Sequence, residues 1–178
     1  MALTVIILGV IITSNLNWQA QTDYMCKKAY SRIWILRRLK PLGANQEELI
    51  DVYIKQIRCI LEFAVAAWNP GLTKGQIGQI ERVQKSSLAV ILDKEYKSYN
   101  QALKTTYLKT LQERRKELCR KFASKALKHE KFSTWFCPNK EIGMKTRTAK
   151  TLLKPVSART IRYEKSPIAY LTRLLNEK

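Results

Sequence analysis

The sequence predicts a mainly α fold: a multi-helix bundle preceded by one short N-terminal apolar strand or hairpin and followed by a basic irregular arm. Three features predict it. Apolar residues recur at helical spacing between residues 22 and 130. The first 21 residues carry no charge and are rich in β-branched side chains. Beyond residue 137 the period fades while Lys and Arg persist. The 178 residues allow one domain with a tail and are enough for a hydrophobic core. The organisation expected is a strand segment at 1–21, a helical domain at 22–130 and a basic arm with a short closing helix at 131–178.

The strand comes first. Thr4, Val5, Ile6, Ile7, Val10, Ile11 and Ile12 lead to Ser14-Asn15, a pattern for a buried strand with a turn after it. The rival reading is a secretory signal. Residues 2–12 have the length of its apolar core and are too short to span a bilayer. No Lys or Arg precedes them, and bulky Trp18 stands where a small residue is wanted, so the strand is preferred.

A first helix is expected from Thr22, an N-cap with Asp23 just inside. Met25, Ala29, Ile33 and Leu36 form its apolar face, widened by Tyr30, Trp34 and Leu39. It should stop before Pro41, with Gly43 beyond. Asn45, Glu47 and Glu48 open a second helix whose stripe runs Ile50, Tyr53, Ile54, Ile57, Leu61, Ala64, Val65 and Trp68, ending at Asn69-Pro70-Gly71. Asp51–Lys55 and Arg58–Glu62 sit at i,i+4 on it. A third helix runs from Thr73 or Lys74 to about Asp93. A short one covers 98–107, and a long one covers 110–129. The long helix should bury Leu111, Leu118, Phe122 and Ala126 and turn Arg114, Arg115, Lys116, Arg120, Lys121, Lys125 and Lys128 to solvent. Pro138, Gly143 and Pro155 punctuate a mobile basic stretch. Ser166 and Pro167 open the closing helix.

Lys and Arg outnumber Asp and Glu by 33 to 14, a net charge of +19. Residues 22–130 hold 22 basic and 11 acidic residues, and 131–178 hold 11 and 3. Such an excess attracts phosphate without regard to base sequence, and anionic membrane surfaces as well. Cys26, Cys59, Cys119 and Cys137 contain no close pair, and His129 is the single histidine. That argues against a metal site, including one from Cys119, His129 and Cys137, and for thiols in a reducing compartment. There is no Asn-x-Ser/Thr sequon.

Several short motifs follow one another in order. They are Leu8-Gly9-Val10, Leu16, Trp18, Leu36-Arg37-Arg38-Leu39, Val52-Tyr53, Leu61-Glu62-Phe63-Ala64, Trp68, Ile80-Glu81-Arg82-Val83-Gln84-Lys85 and Arg114-Arg115. The ending Pro167-Ile168-Ala169-Tyr170-Leu171-Thr172-Arg173-Leu174-Leu175-Asn176 closes the series. In this order and spacing the chain resembles the C-terminal, post-palm region of a non-LTR (LINE-type, jockey-like) retrotransposon reverse transcriptase. Two positions depart from the pattern: Thr13 stands for its Asp and Gln21 for its His.

The resemblance implies a thumb-like helical region that grips a primer–template duplex and lies after the catalytic carboxylates. The parent family is an RNA-directed DNA polymerase whose palm holds two magnesium ions with clustered aspartates. Here only Asp23, Asp51 and Asp93 occur, far apart, and no phosphate-cradling glycine loop appears. The expectation is a non-enzymatic, non-sequence-specific RNA/DNA binder with no cofactor, in the nucleus or cytoplasm. The alternatives are a secreted or membrane-associated basic protein using residues 1–20 as a signal, or a fragment without function.

The expected phosphate contacts are Lys27, Lys28, Arg32, Arg37, Arg38 and Lys40 on the first helix, with Arg114, Arg115, Lys116, Arg120 and Lys121 on the long one. Any one of them taken alone reads more readily as a solvated surface cation; the summed charge is what favours binding. Tyr30, Trp34 and Trp68 lie on apolar stripes and are expected in the core rather than stacked on bases. Glu113 and Glu117 read as a salt-bridge ladder rather than a catalytic pair, and His129 as exposed.

Overall fold

The computed structural model describes residues 3–139 and 153–177. The chain is mainly helical, with a short antiparallel hairpin at the N-terminal side. It forms two compact units. One comprises Met1–Ala64 and Leu72–Arg114, the other Val65–Gly71 and Arg115–Lys178. This division differs from the expected three segments.

In the first unit, β1 (Thr4–Ile7) pairs with β2 (Val10–Thr13), Thr4 opposite Thr13 and Ile7 opposite Val10. The connecting residues Leu8 and Gly9 both have positive φ, 47° and 81°. That is the tight hairpin geometry that favours Asn-Gly, so leucine is strained there. The expected hairpin is present, but the expected burial is corrected. All of β1 is exposed, and on β2 only Val10 and Thr13 are buried. The second strand is tied down because Ile11 N–H donates to Gln21 Oε1 at 2.8 Å and Thr13 Oγ1 donates to the Asn17 carbonyl at 2.8 Å.

Helix α1 spans Gln19–Leu39, four residues longer at its start than expected. Thr22 is not its cap. It is buried one turn in, its hydroxyl donating to the Trp18 carbonyl at 2.8 Å, while Asn17 Oδ1 accepts from Gln19 N–H. Met25, Cys26, Ala29, Ile33 and Leu36 face the core. A 3₁₀ turn at Lys40–Leu42 and left-handed Gly43 end this stretch.

Asn45 and Glu48 form a capping box that opens α2 (Gln46–Val52). The helix widens into a π segment, Tyr53–Arg58, and resumes as α3 (Cys59–Glu62). Its buried positions are Leu49, Tyr53, Ile57 and Leu61. A strict four-residue repeat drifts by about 40° per step on an α-helix. The wider π turn returns those side chains to one face. Beyond Glu62 the helix breaks, with Phe63 extended and Ala64 at φ 49°, where one continuous stripe to Trp68 was expected. Val65 and Trp68 are buried on α4 (Val65–Trp68), in the second unit.

Helix α5 (Lys74–Leu92) is opened by a Thr73/Gln76 capping box and packs along α1. Helix α6 (Tyr99–Thr105) is capped by Ser98. Helix α7 (Leu111–Lys128) contributes its first turn to this unit.

In the second unit the remainder of α7 is joined by α8 (Glu130–Ser133), α9 (Ile161–Glu164) and α10 (Pro167–Asn176). Trp68, Cys119, Ala123, Ala126, Phe136, Leu153, Leu171 and Leu174 form its core. The buried face of α7 keeps the expected Leu111 and Ala126 but is otherwise shifted. Arg115, Cys119 and Ala123 are inside, while Phe122 is 41% exposed. Ser166 takes the N-cap position of α10 without a side-chain bond. Part of the expected mobile arm, residues 140–152, lies outside the described residues. On either side of it the chain is anchored. Pro138 bridges to Leu153, and Asn176 exchanges two 3.0 Å hydrogen bonds with the Leu153 backbone.

Candidate functional site

The outward face of α1 joins charge to aromatic surface. Residues 24, 27, 31, 34 and 38 follow a three–four spacing and so line up along one side of the helix. They read Tyr24, Lys27, Ser31, Trp34 and Arg38, with Lys28, Tyr30 and Arg37 beside them. Lys27, Lys28, Arg37 and Arg38 are exposed, and among the described residues none of the four is in an ion pair. Trp34 is 59% exposed and Tyr30 41%, so their expected place in the core is corrected. They sit one position off the buried line of Ala29, Ile33 and Leu36. Trp68 is buried as expected. Lys28 Nζ lies over the Tyr24 ring, 5.9 Å from its centroid. Arg32 is half-buried, its Nη1 donating to the Gln56 carbonyl and Oε1 at 3.3 and 3.0 Å.

Lys40, the last expected contact on this element, serves the fold instead. Its Nζ donates to the Val90 and Ile91 carbonyls at 3.0 and 3.4 Å and pairs with Asp93 at 3.3 Å. A cation there satisfies the open carbonyls at the C-terminus of α5 and complements its dipole.

The cluster on α7 is largely engaged. Arg114 Nε pairs with Glu62 Oε1 at 3.0 Å within the first unit. Arg115 is 0% exposed and donates from Nε to Asn69 Oδ1 at 3.0 Å. A guanidinium so enclosed does not reach a phosphate, and Arg115 is removed from the expected set. Lys116 and Arg120 both hold Glu177 Oε2, at 2.7 and 3.2 Å, from partly exposed positions. Lys121 is exposed.

Two of the motifs that suggested a family, Val52-Tyr53 and Ile80-Glu81-Arg82-Val83-Gln84-Lys85, are paired in space and act as scaffold. Tyr53 donates its hydroxyl to Gln84 Oε1 at 2.6 Å. Gln84 Nε2 donates to the Tyr99 hydroxyl at 3.0 Å and the Lys109 carbonyl at 2.9 Å. Tyr99 donates to Glu81, whose other oxygen accepts from Gln112 N–H at 2.7 Å. Burial pushes the Tyr53 hydroxyl far above its usual range. Burial, then the hydrogen bond to Glu81, does the same to Tyr99. In the second unit burial raises the Cys119 thiol to about 11 against the opposing pull of Arg115. Burial also raises Tyr170.

The three aspartates are each engaged within the fold. Asp23 accepts from Gln19 and Gln79 at 2.8 and 2.7 Å, Asp51 holds Lys55 at 2.6 Å, and Asp93 holds Lys40. Glu113 caps α7 through Thr110 rather than joining a ladder. His129 Nδ1 accepts from Lys131 N–H at the start of α8. Among the described residues no three His, Cys, Asp or Glu side chains gather to hold a metal ion. Nor, among those residues, is any helix long and apolar enough to cross a membrane.

No protein-family model matches the chain, and no match was found among curated proteins or solved structures.

Proposed function

We propose that this chain is a non-catalytic nucleic-acid-binding module corresponding to the C-terminal, post-palm region of a non-LTR retrotransposon reverse transcriptase, with α1 as its main contact. The observation that carries this reading is the exposed α1 face, where Tyr24, Lys27, Trp34 and Arg38 alternate ring and charge along one line. Cations there neutralise phosphates without reading sequence, and the rings offer stacking surface. Motif order in the sequence supports the family assignment. A nuclear or cytoplasmic location is part of the same reading, and the four cysteines standing as thiols agree with it.

The test is an anisotropy titration of RNA and DNA duplexes across salt concentrations. Lys27, Lys28, Arg37 and Arg38 give an expected slope of about −4 in log affinity against log salt. A flat titration, or no binding at low salt, contradicts the proposal.

A further inference from the structure

Beside the α1 face, within the first unit, lies a cavity of about 430 Å³. Its size is within the range of small-molecule and cofactor sites. Two exposed rings border it, Tyr24 from α1 and Phe63 from the break after α3. Met25 and Ile60 supply apolar lining. The turn of the hairpin reaches it at Gly9, whose backbone faces the Phe63 ring closely enough that an added Cβ would sit 3.5 Å from it. The charged side chains that line it are Lys28 and Arg32, and no acid does so among the described residues. The two Gln56 contacts engage Arg32 at Nη1, and a guanidinium carries five N–H donors in all.

A lining of two rings, an apolar floor and two adjacent cations, with no carboxylate, suits a flat aromatic group that carries an anion. We propose that this cavity receives an unpaired base of a single-stranded nucleic acid, its neighbouring phosphate held by Lys28 and Arg32. The proposal rests on the nucleic-acid reading above and narrows it. A base within a duplex is stacked on both faces and does not enter a pocket without being extruded. The cavity therefore prefers single strands, whereas the outer line of Lys27, Trp34 and Arg38 does not discriminate. Stacking is tolerant of base identity, so RNA and DNA single strands bind alike here.

The thiol of Cys59 reports on the site. It lines the cavity and is exposed, while Cys26 and Cys119 are buried. In the full chain carrying Cys137→Ser, Cys59 is the one exposed cysteine left to react with a maleimide. Saturating oligo(dT) or oligo(rU) should slow that reaction severalfold, and a blunt duplex of equal length should not. In anisotropy titrations Phe63→Leu should weaken oligo(dT) binding about tenfold and leave duplex binding unchanged. Equal losses on both substrates, or no loss on either, overturn the proposal. So does an unchanged alkylation rate under oligo(dT), which decides the matter with both rings intact if a variant fails to fold. Protection by anionic vesicles but not by oligonucleotide also overturns it. Salt-dependent duplex binding that survives such a result leaves the broader reading standing; loss of all binding removes both.

Discussion

Helices α1 and α7 carry similar clusters of cations in the sequence, and the structure treats them differently. On α1, Lys27, Lys28, Arg37 and Arg38 stay exposed, interleaved with Tyr30 and Trp34. On α7, Arg114 is held by Glu62, Arg115 is enclosed with Asn69, and Lys116 and Arg120 share Glu177. The difference lies in the partners, not in the helices. A cation met by a carboxylate or a buried amide belongs to the fold. One left facing water is available to a ligand.

The sharpest way to break this comparison is Arg115→Ala. Removing a buried, hydrogen-bonded cation takes the Arg115 donor from Asn69 Oδ1 and leaves a void beside Cys119, and should cost about 3 kcal/mol. Differential scanning fluorimetry should show a melting temperature lower by on the order of 10 °C. The nucleic-acid affinity of the folded protein should not change. A stable variant that binds more weakly would return Arg115 to the contact set.

The complementary change is Lys27→Ala with Arg38→Ala. Stability should be near wild type, because both side chains are exposed. The salt slope should fall by about 2, with a loss of affinity of tenfold or more at low salt. Lys116→Ala with Arg120→Ala should lower the slope far less, since Glu177 already offsets that charge. Equal effects from the two pairs would erase the distinction between the helices.

A smaller effect tests the scaffold under α1. Tyr53→Phe deletes one buried hydroxyl and leaves Gln84 short of a donor, costing about 1–2 kcal/mol with no change in salt slope. Denaturant titration measures it.

The last prediction concerns alkali. Tyr53, Tyr99, Tyr170 and Cys119 all have folded-state pKa values raised by burial. Each is neutral when protonated, so the unfolded chain deprotonates first as pH rises. Stability is therefore fully present below pH 9, where the unfolded thiol begins to ionise, and declines above it, the Cys119 contribution being lost by about pH 11. Chemical denaturation across that window should show the fall, and Cys119→Ala should reduce its lower part. A flat profile would mean these groups are more accessible than their burial indicates.

Much of this was legible in the residues. Asn45, Thr73 and Ser98 stand where helix starts were expected, because a side-chain oxygen near bare N–H groups is a local matter. The i,i+4 pairs Asp51–Lys55 and Arg58–Glu62 formed for the same reason. What was hidden depends on distant partners. Arg115 is buried because Asn69, 46 residues away, meets it. Trp34 and Tyr30 looked like core because they are large and apolar, yet they stay 59% and 41% exposed. Nor did hydrophobicity reveal that β1 pairs with β2 and remains exposed, since an apolar run states only a preference for burial. The cavity beside Tyr24 depends on the helix break at Phe63-Ala64, which the unbroken apolar stripe concealed.

The central claim is that the outward charge of α1 is the contact for phosphate. It is tested most directly by the salt dependence of duplex binding for the wild type and for a chain with Lys27, Lys28, Arg37 and Arg38 all replaced by Ala, with unchanged helicity verified by circular dichroism. The account predicts a slope of about −4 that collapses toward zero in the substituted protein. A slope that survives those four replacements would contradict it.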